Sequence, residues 1–132
     1  MTERAAADGL DFRMDELRSG NTRDAHRLVH LAQAQGRQAE MVERLHRAYF
    51  TEQRSVFAAD ELAALAEDVG VTGAAEVLAS DDYLDAVLAD ERTARELGAT
   101  GVPFFVIDRR YGVSGAQSSD VLRQALEQAR QG

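Results

Sequence analysis

The sequence predicts an α/β protein that is predominantly helical. Three observations predict this. Apolar residues recur at helical spacing through most of residues 21–97, a single short run, Phe104–Ile107, is apolar throughout and bounded by turn signals, and an amphipathic segment closes the chain after Ser118 and Ser119. With 132 residues, 45% of them hydrophobic, the chain has the size of one small domain and enough apolar material for a modest core.

Residues 1–20 carry only a brief apolar-polar alternation, Leu10, Phe12 and Met14, and are expected to form an extended lead-in. A helix start follows at Asn21. Asn21 is a cap residue type, Asp24 sits in the first turn near the positive helix end, and Ala25, Leu28, Val29 and Ala32 share a face until Gly36. A second helix groups Met41, Val42, Leu45, Ala48 and Tyr49, and a third groups Leu62, Leu65, Ala66 and Val69 before Gly70. Residues 71–79 suggest a short helix or turn, after which Ser80 is expected to cap a longer helix carrying Leu84, Val87, Leu88, Ala94 and Leu97 as far as Gly98. Pro103, the only proline, then precedes the strand Phe104–Ile107. Asp108-Arg109-Arg110 makes a tight turn into a second strand, Tyr111–Ser114, giving an antiparallel hairpin. In the last helix Val121, Leu122, Ala125, Leu126 and Ala129 form the face expected to be buried.

Composition removes several function classes. A net charge of -8 opposes nucleic acid and anionic membrane surfaces, both of which require clustered cations. No apolar run approaches the roughly 20 residues that span a bilayer, and the start lacks the basic-then-apolar layout of a signal peptide, so a cytoplasmic protein is expected. Most decisive is the absence of cysteine, which excludes disulfides, cysteine-ligated metals and any thiolate nucleophile from this chain.

The richest motif is Thr100-Gly101-Val102-Pro103-Phe104-Phe105-Val106-Ile107, followed by Gly112-Val113-Ser114-Gly115-Ala116-Gln117 and the closing helix. It resembles the end of a thioredoxin fold, where a cis proline opens a core strand. Together with Asn21-Thr22-Arg23-Asp24-Ala25-His26-Arg27, it resembles the FrnE-like branch of the DsbA-like thioredoxin-fold oxidoreductases, over about residues 9–129. The resemblance implies a helical domain inserted into a thioredoxin fold, here residues 21–98, with residues 99–132 as the carboxy-terminal part of a truncated thioredoxin-like fold. In that family the strands and the Cys-x-x-Cys helix precede the insertion. The resemblance therefore covers the carboxy-terminal part alone, and it implies a chain that is redox-inactive by itself, since disulfide exchange needs a thiolate. What it does carry over is the loop Gly101, Val102 and Pro103, which in such proteins offers backbone groups to an extended peptide or protein substrate.

Other readings carry less. His26 and His30 stand four apart, as two ligands on one helix face do, yet no carboxylate completes a motif and His46 lies on another helix. A hydrogen-bonded structural role for His26 and helix capping by Asn21 and Asp24 are the plainer assignments, with no metal and no cofactor. Ser114 and Ser118 lack a nucleophile-elbow context, and the glycines at 112 and 115 do not open a helix. The kappa-class glutathione transferases and chromene-carboxylate isomerases also insert a helical domain, but the resemblance puts their active position upstream of this chain. The alternative in a different class is a noncatalytic module that holds a peptide or partner chain.

One physical gap remains. A two-stranded hairpin is marginal alone, and a strand apolar on both faces belongs inside a larger sheet. The free edge is expected to recruit a second copy or an upstream partner chain, unless residues 10–14 fold back onto it.

Overall fold

The structure, a computed structural model, describes residues 1–132. Seven helices and two strands follow in the order α1 Thr2–Ala7, α2 Arg23–Ala34, α3 Gln38–Phe50, α4 Ala59–Asp68, α5 Ala74–Leu78, α6 Leu84–Glu96, β1 Phe104–Ile107, β2 Tyr111–Ser114 and α7 Ser119–Gln131. The protein is thus predominantly helical, with one small antiparallel sheet. It divides into two compact units, Met1–Val87 and Leu88–Gly132.

The first unit owns the core. Leu28 of α2, Met41 of α3, Leu62 and Leu65 of α4, and Val71 are fully buried, and Leu45 and Val87 are buried as the helical periodicity requires. Each such leucine contributes roughly 1.5–3 kcal/mol by leaving water. Gly36, at φ 71°, makes the left-handed turn that reverses the chain between α2 and α3. An ion-pair network ties the helix ends together: Arg44 pairs with Glu52 and with Asp68, each at 2.9 Å, and Arg54 pairs with Glu61 at 2.8 Å. Burial alone would lower the Arg44 pKa, but the hydrogen bonds and charges of Glu52 and Asp68 outweigh it, so the value lies above the ordinary one and the guanidinium stays charged.

The amino-terminal segment departs from an extended lead-in. Residues 2–7 are helical, because Ala5, Ala6 and Ala7 have the highest intrinsic helix propensity and Glu3 complements the helix start. Residues 10–18 neither pair with the hairpin nor hang free; they lie along the end of α3. The Arg13 N–H donates to the Phe50 carbonyl at 2.7 Å, the Thr51 hydroxyl to the Asp11 carbonyl at 2.8 Å, and the Tyr49 hydroxyl to the Arg18 carbonyl at 2.9 Å. Phe12 stacks on Phe50 with ring centroids 4.7 Å apart. The alternating apolar residues therefore serve the end of α3, where the Phe50 carbonyl accepts one backbone N–H of the segment and the Thr51 and Tyr49 hydroxyls donate to its carbonyls.

The second unit contains the end of α6, the hairpin and α7. Both strands have the predicted bounds, and their register pairs Phe104 with Ser114, Phe105 with Val113, Val106 with Gly112 and Ile107 with Tyr111. Asp108 and Arg109 both adopt positive φ in the turn, closed by the Arg110 N–H donating to the Ile107 carbonyl at 3.1 Å. Ser118 caps α7 through its hydroxyl, which accepts from the Val121 N–H. Burial is where the expectation fails. Ala94 is exposed, none of α7 is buried, and Val121 and Leu126 are exposed. The periodicity identifies the apolar side of a helix, but two short strands are too little surface to cover it.

Candidate functional site

Within the first unit, residues of α2 and α3 line an apolar cleft of about 480 Å³. Its walls are Val29, Val42, Leu45 and Val56, its aromatic side is Tyr49, Phe50 and Phe57, and His26 and His46 contribute imidazoles. The aromatic wall is internally ordered, since Tyr49 meets Phe50 and Phe57 edge to face at 5.0 and 5.9 Å. Gly20 closes one end: a Cβ there would lie 2.5 Å from the Phe57 ring, so only glycine permits this approach. Concave, largely apolar and edged by a few polar groups, the cleft has the character of a binding site.

The motif residues Asn21 to Arg27 build the rim. The N-cap of α2 is Thr22 rather than Asn21, and Asn21 instead accepts the Arg23 N–H on its Oδ1 at 2.9 Å, turning the chain into the helix one residue earlier. Asp24 pairs with Arg27 at 2.9 Å. His26 is exposed and lines the cleft; it precedes the inward-facing Arg27 and Leu28 and so falls on the open side of the helix.

Arg27 is the residue that sequence reasoning missed. Only 5% exposed, it donates to the carbonyls of Val77, Ser80 and Asp82, the last at 2.8 Å, and so fastens the segment after α5 against α2. The same contact explains why Ser80 does not cap α6: its hydroxyl donates to the Val77 carbonyl and accepts the Asp82 N–H, and the helix begins only at Leu84. No local pattern reports this, because the acceptors lie 50 to 55 residues away.

In the second unit the loop Gly101, Val102 and Pro103 is exposed, with Val102 96% accessible. The Val102–Pro103 peptide bond is cis. The Pro103 carbonyl accepts the Gly115 N–H at 2.8 Å, so the loop is anchored to the end of β2. His30 stacks against Tyr83 at 6.4 Å, and the histidines and carboxylates form no group of three able to hold a metal. No helix is long and apolar enough to cross a membrane.

These features define a class. The model of the DSBA-like thioredoxin domain family matches residues 1–127, and the chain belongs to that family. Among solved structures, the crystal structure of a probable DsbA oxidoreductase from Streptomyces coelicolor is similar at 47% identity and a TM-score of 0.89. The match covers 98% of this chain and 57% of that one, so the chain spans little more than half the length of this relative. No curated protein matches.

Proposed function

We propose that this chain is a FrnE-like member of the DsbA-like family that corresponds to the carboxy-terminal part of the family's fold and is redox-inactive by itself. Acting in the cytoplasm, it binds an extended peptide or unfolded protein segment without chemistry. The observation that carries this reading is the combination of family membership with the complete absence of cysteine. A thiolate must attack sulfur for disulfide exchange, and this chain has none to offer. Binding groups, by contrast, are present. Gly101 and Val102 are an exposed backbone next to a strand, and the cleft of the first unit offers an apolar, aromatic surface of the kind that holds side chains of an unfolded segment.

The test pairs two readouts on the purified chain. In oxidative refolding of a reduced client the rate should equal that of the uncatalysed control. In fluorescence anisotropy a labelled extended peptide should bind saturably, and Val102→Asp, a change at an exposed position, should weaken it about tenfold, equivalent to about 1.4 kcal/mol. Catalysed refolding, or no peptide binding by the unsubstituted chain, contradicts the reading.

A further inference from the structure

We propose that the cleft of the first unit selects its client by charge, holding a segment in which a large aromatic or aliphatic anchor is flanked by arginine or lysine. The inference rests on the peptide-binding reading and narrows it to cationic amphipathic segments. It begins from the lining. No aspartate, glutamate or arginine lines the cleft, whose polar groups are the imidazoles of His26 and His46 and the hydroxyls of Ser19, Thr22 and Tyr49. The Tyr49 hydroxyl is already committed to the Arg18 carbonyl. A charged side chain entering this space would give up its hydration with no counter-ion to replace it, so the anchor is uncharged. A volume of about 480 Å³ admits an aromatic side chain, and the rings of Tyr49, Phe50 and Phe57 offer it faces and edges.

The sign of the flanking charge follows from an uneven distribution along the chain. Residues 1–57 hold nine arginines against nine carboxylates, and residues 88–132 hold six against six. The whole net charge of -8 therefore comes from residues 58–87, where eight carboxylates occur without one basic residue. Seven of the eight are exposed, and the eighth, Glu61, is half-buried against Arg54. The segment is thus a solvent-facing negative surface within the same compact unit as the cleft.

Chain connectivity joins the two features. Val56 and Phe57 line the cleft, α4 starts two residues later at Ala59, and Asp60 stands in its first turn. Glu67, seven residues on, shares a stripe of the helix with Asp60, and both are exposed. A segment anchored in the cleft that continues past Phe57 passes from an uncharged cavity onto this negative stripe. Screening at physiological salt acts over about 8 Å, so basic flanks close to the stripe are attracted and acidic flanks repelled, while the long-range field of the unit raises the association rate of cationic segments. Apolar burial supplies the common affinity, and charge decides between clients.

Fluorescence anisotropy on the full chain tests the selection, with labelled peptides that share one phenylalanine anchor and differ only in their flanks. Arginine-flanked peptides should bind about tenfold more tightly than glutamate-flanked ones at about 0.05 M salt, and the ratio should fall toward one near about 0.5 M. Asp60→Asn combined with Glu67→Gln, at two exposed positions, should lower the ratio about threefold. Replacing the anchor by serine should abolish binding, and a benzoylphenylalanine anchor should cross-link on irradiation to cleft residues such as Val42 and Phe57. The failures separate. If no peptide of either charge binds, the peptide reading falls and the inference with it. Equal binding of both peptides, tighter binding of the glutamate-flanked one, or a ratio unchanged in the double variant leaves the peptide reading standing and overturns the charge selection. Retained binding of the serine peptide, or cross-links confined to residues outside the cleft, overturns the cleft as the place of the anchor.

Discussion

At the scale of single residues, Arg27 shows how one side chain fixes the path of a distant segment. Its guanidinium donates to the carbonyls of Val77, Ser80 and Asp82, while Asp24 balances part of its charge. Arg27→Ala should cost about 2–4 kcal/mol, because buried acceptors lose a charged donor and a cavity remains. Urea unfolding followed by circular dichroism measures this. A loss below about 0.5 kcal/mol would mean that solvent replaces the guanidinium and that Arg27 does not hold the segment. Arginine is a residue type that sequence reasoning assigns to the surface, and nothing near position 27 marks it as an exception. His26, in contrast, was legible as a motif residue but not as a cleft residue, since the cleft is formed with α3 and Phe57, remote in sequence.

At the scale of elements, the two units differ in how completely their apolar faces are used. The faces of α2, α3 and α4 meet one another, whereas the face of α7 meets only a two-stranded sheet. Leu65→Ala should therefore destabilise the protein by roughly 2–5 kcal/mol, and Leu126→Ala, at a side chain 54% exposed, by less than about 0.5 kcal/mol. Thermal unfolding of both variants at low protein concentration checks the contrast. Equal losses would show that α7 is buried after all. The same contrast explains which elements the sequence revealed. Strands β1 and β2 were legible to the residue because Pro103, Asp108 and Gly115 punctuate them, and the helices α2 to α4 were legible because their cores are amphipathic. Ser80 misled because a hydroxyl that can cap a helix can equally hold a loop, and only the arrival of Arg27 decides between them. The helix at residues 2–7 was hidden because three alanines carry propensity without periodicity.

At the scale of the whole molecule, the chain combines a helical unit that holds every buried residue with a hairpin unit in which none is buried. Family membership was legible through resemblance, in the Asn21 to Arg27 motif and the hairpin segment ending Val113 to Gln117 and in their separation. The chain has no cysteine, in a family whose Streptomyces relative is described as a probable oxidoreductase. The central claim, that the chain holds extended polypeptide without reacting with it, is tested most directly by residue-resolved NMR during titration with a peptide containing one cysteine. The account predicts saturable shifts at the amides of Gly101, Val102 and Phe104, reversal on dilution, and a peptide thiol that remains free throughout. Titration to excess peptide with no movement of these three amides would contradict it.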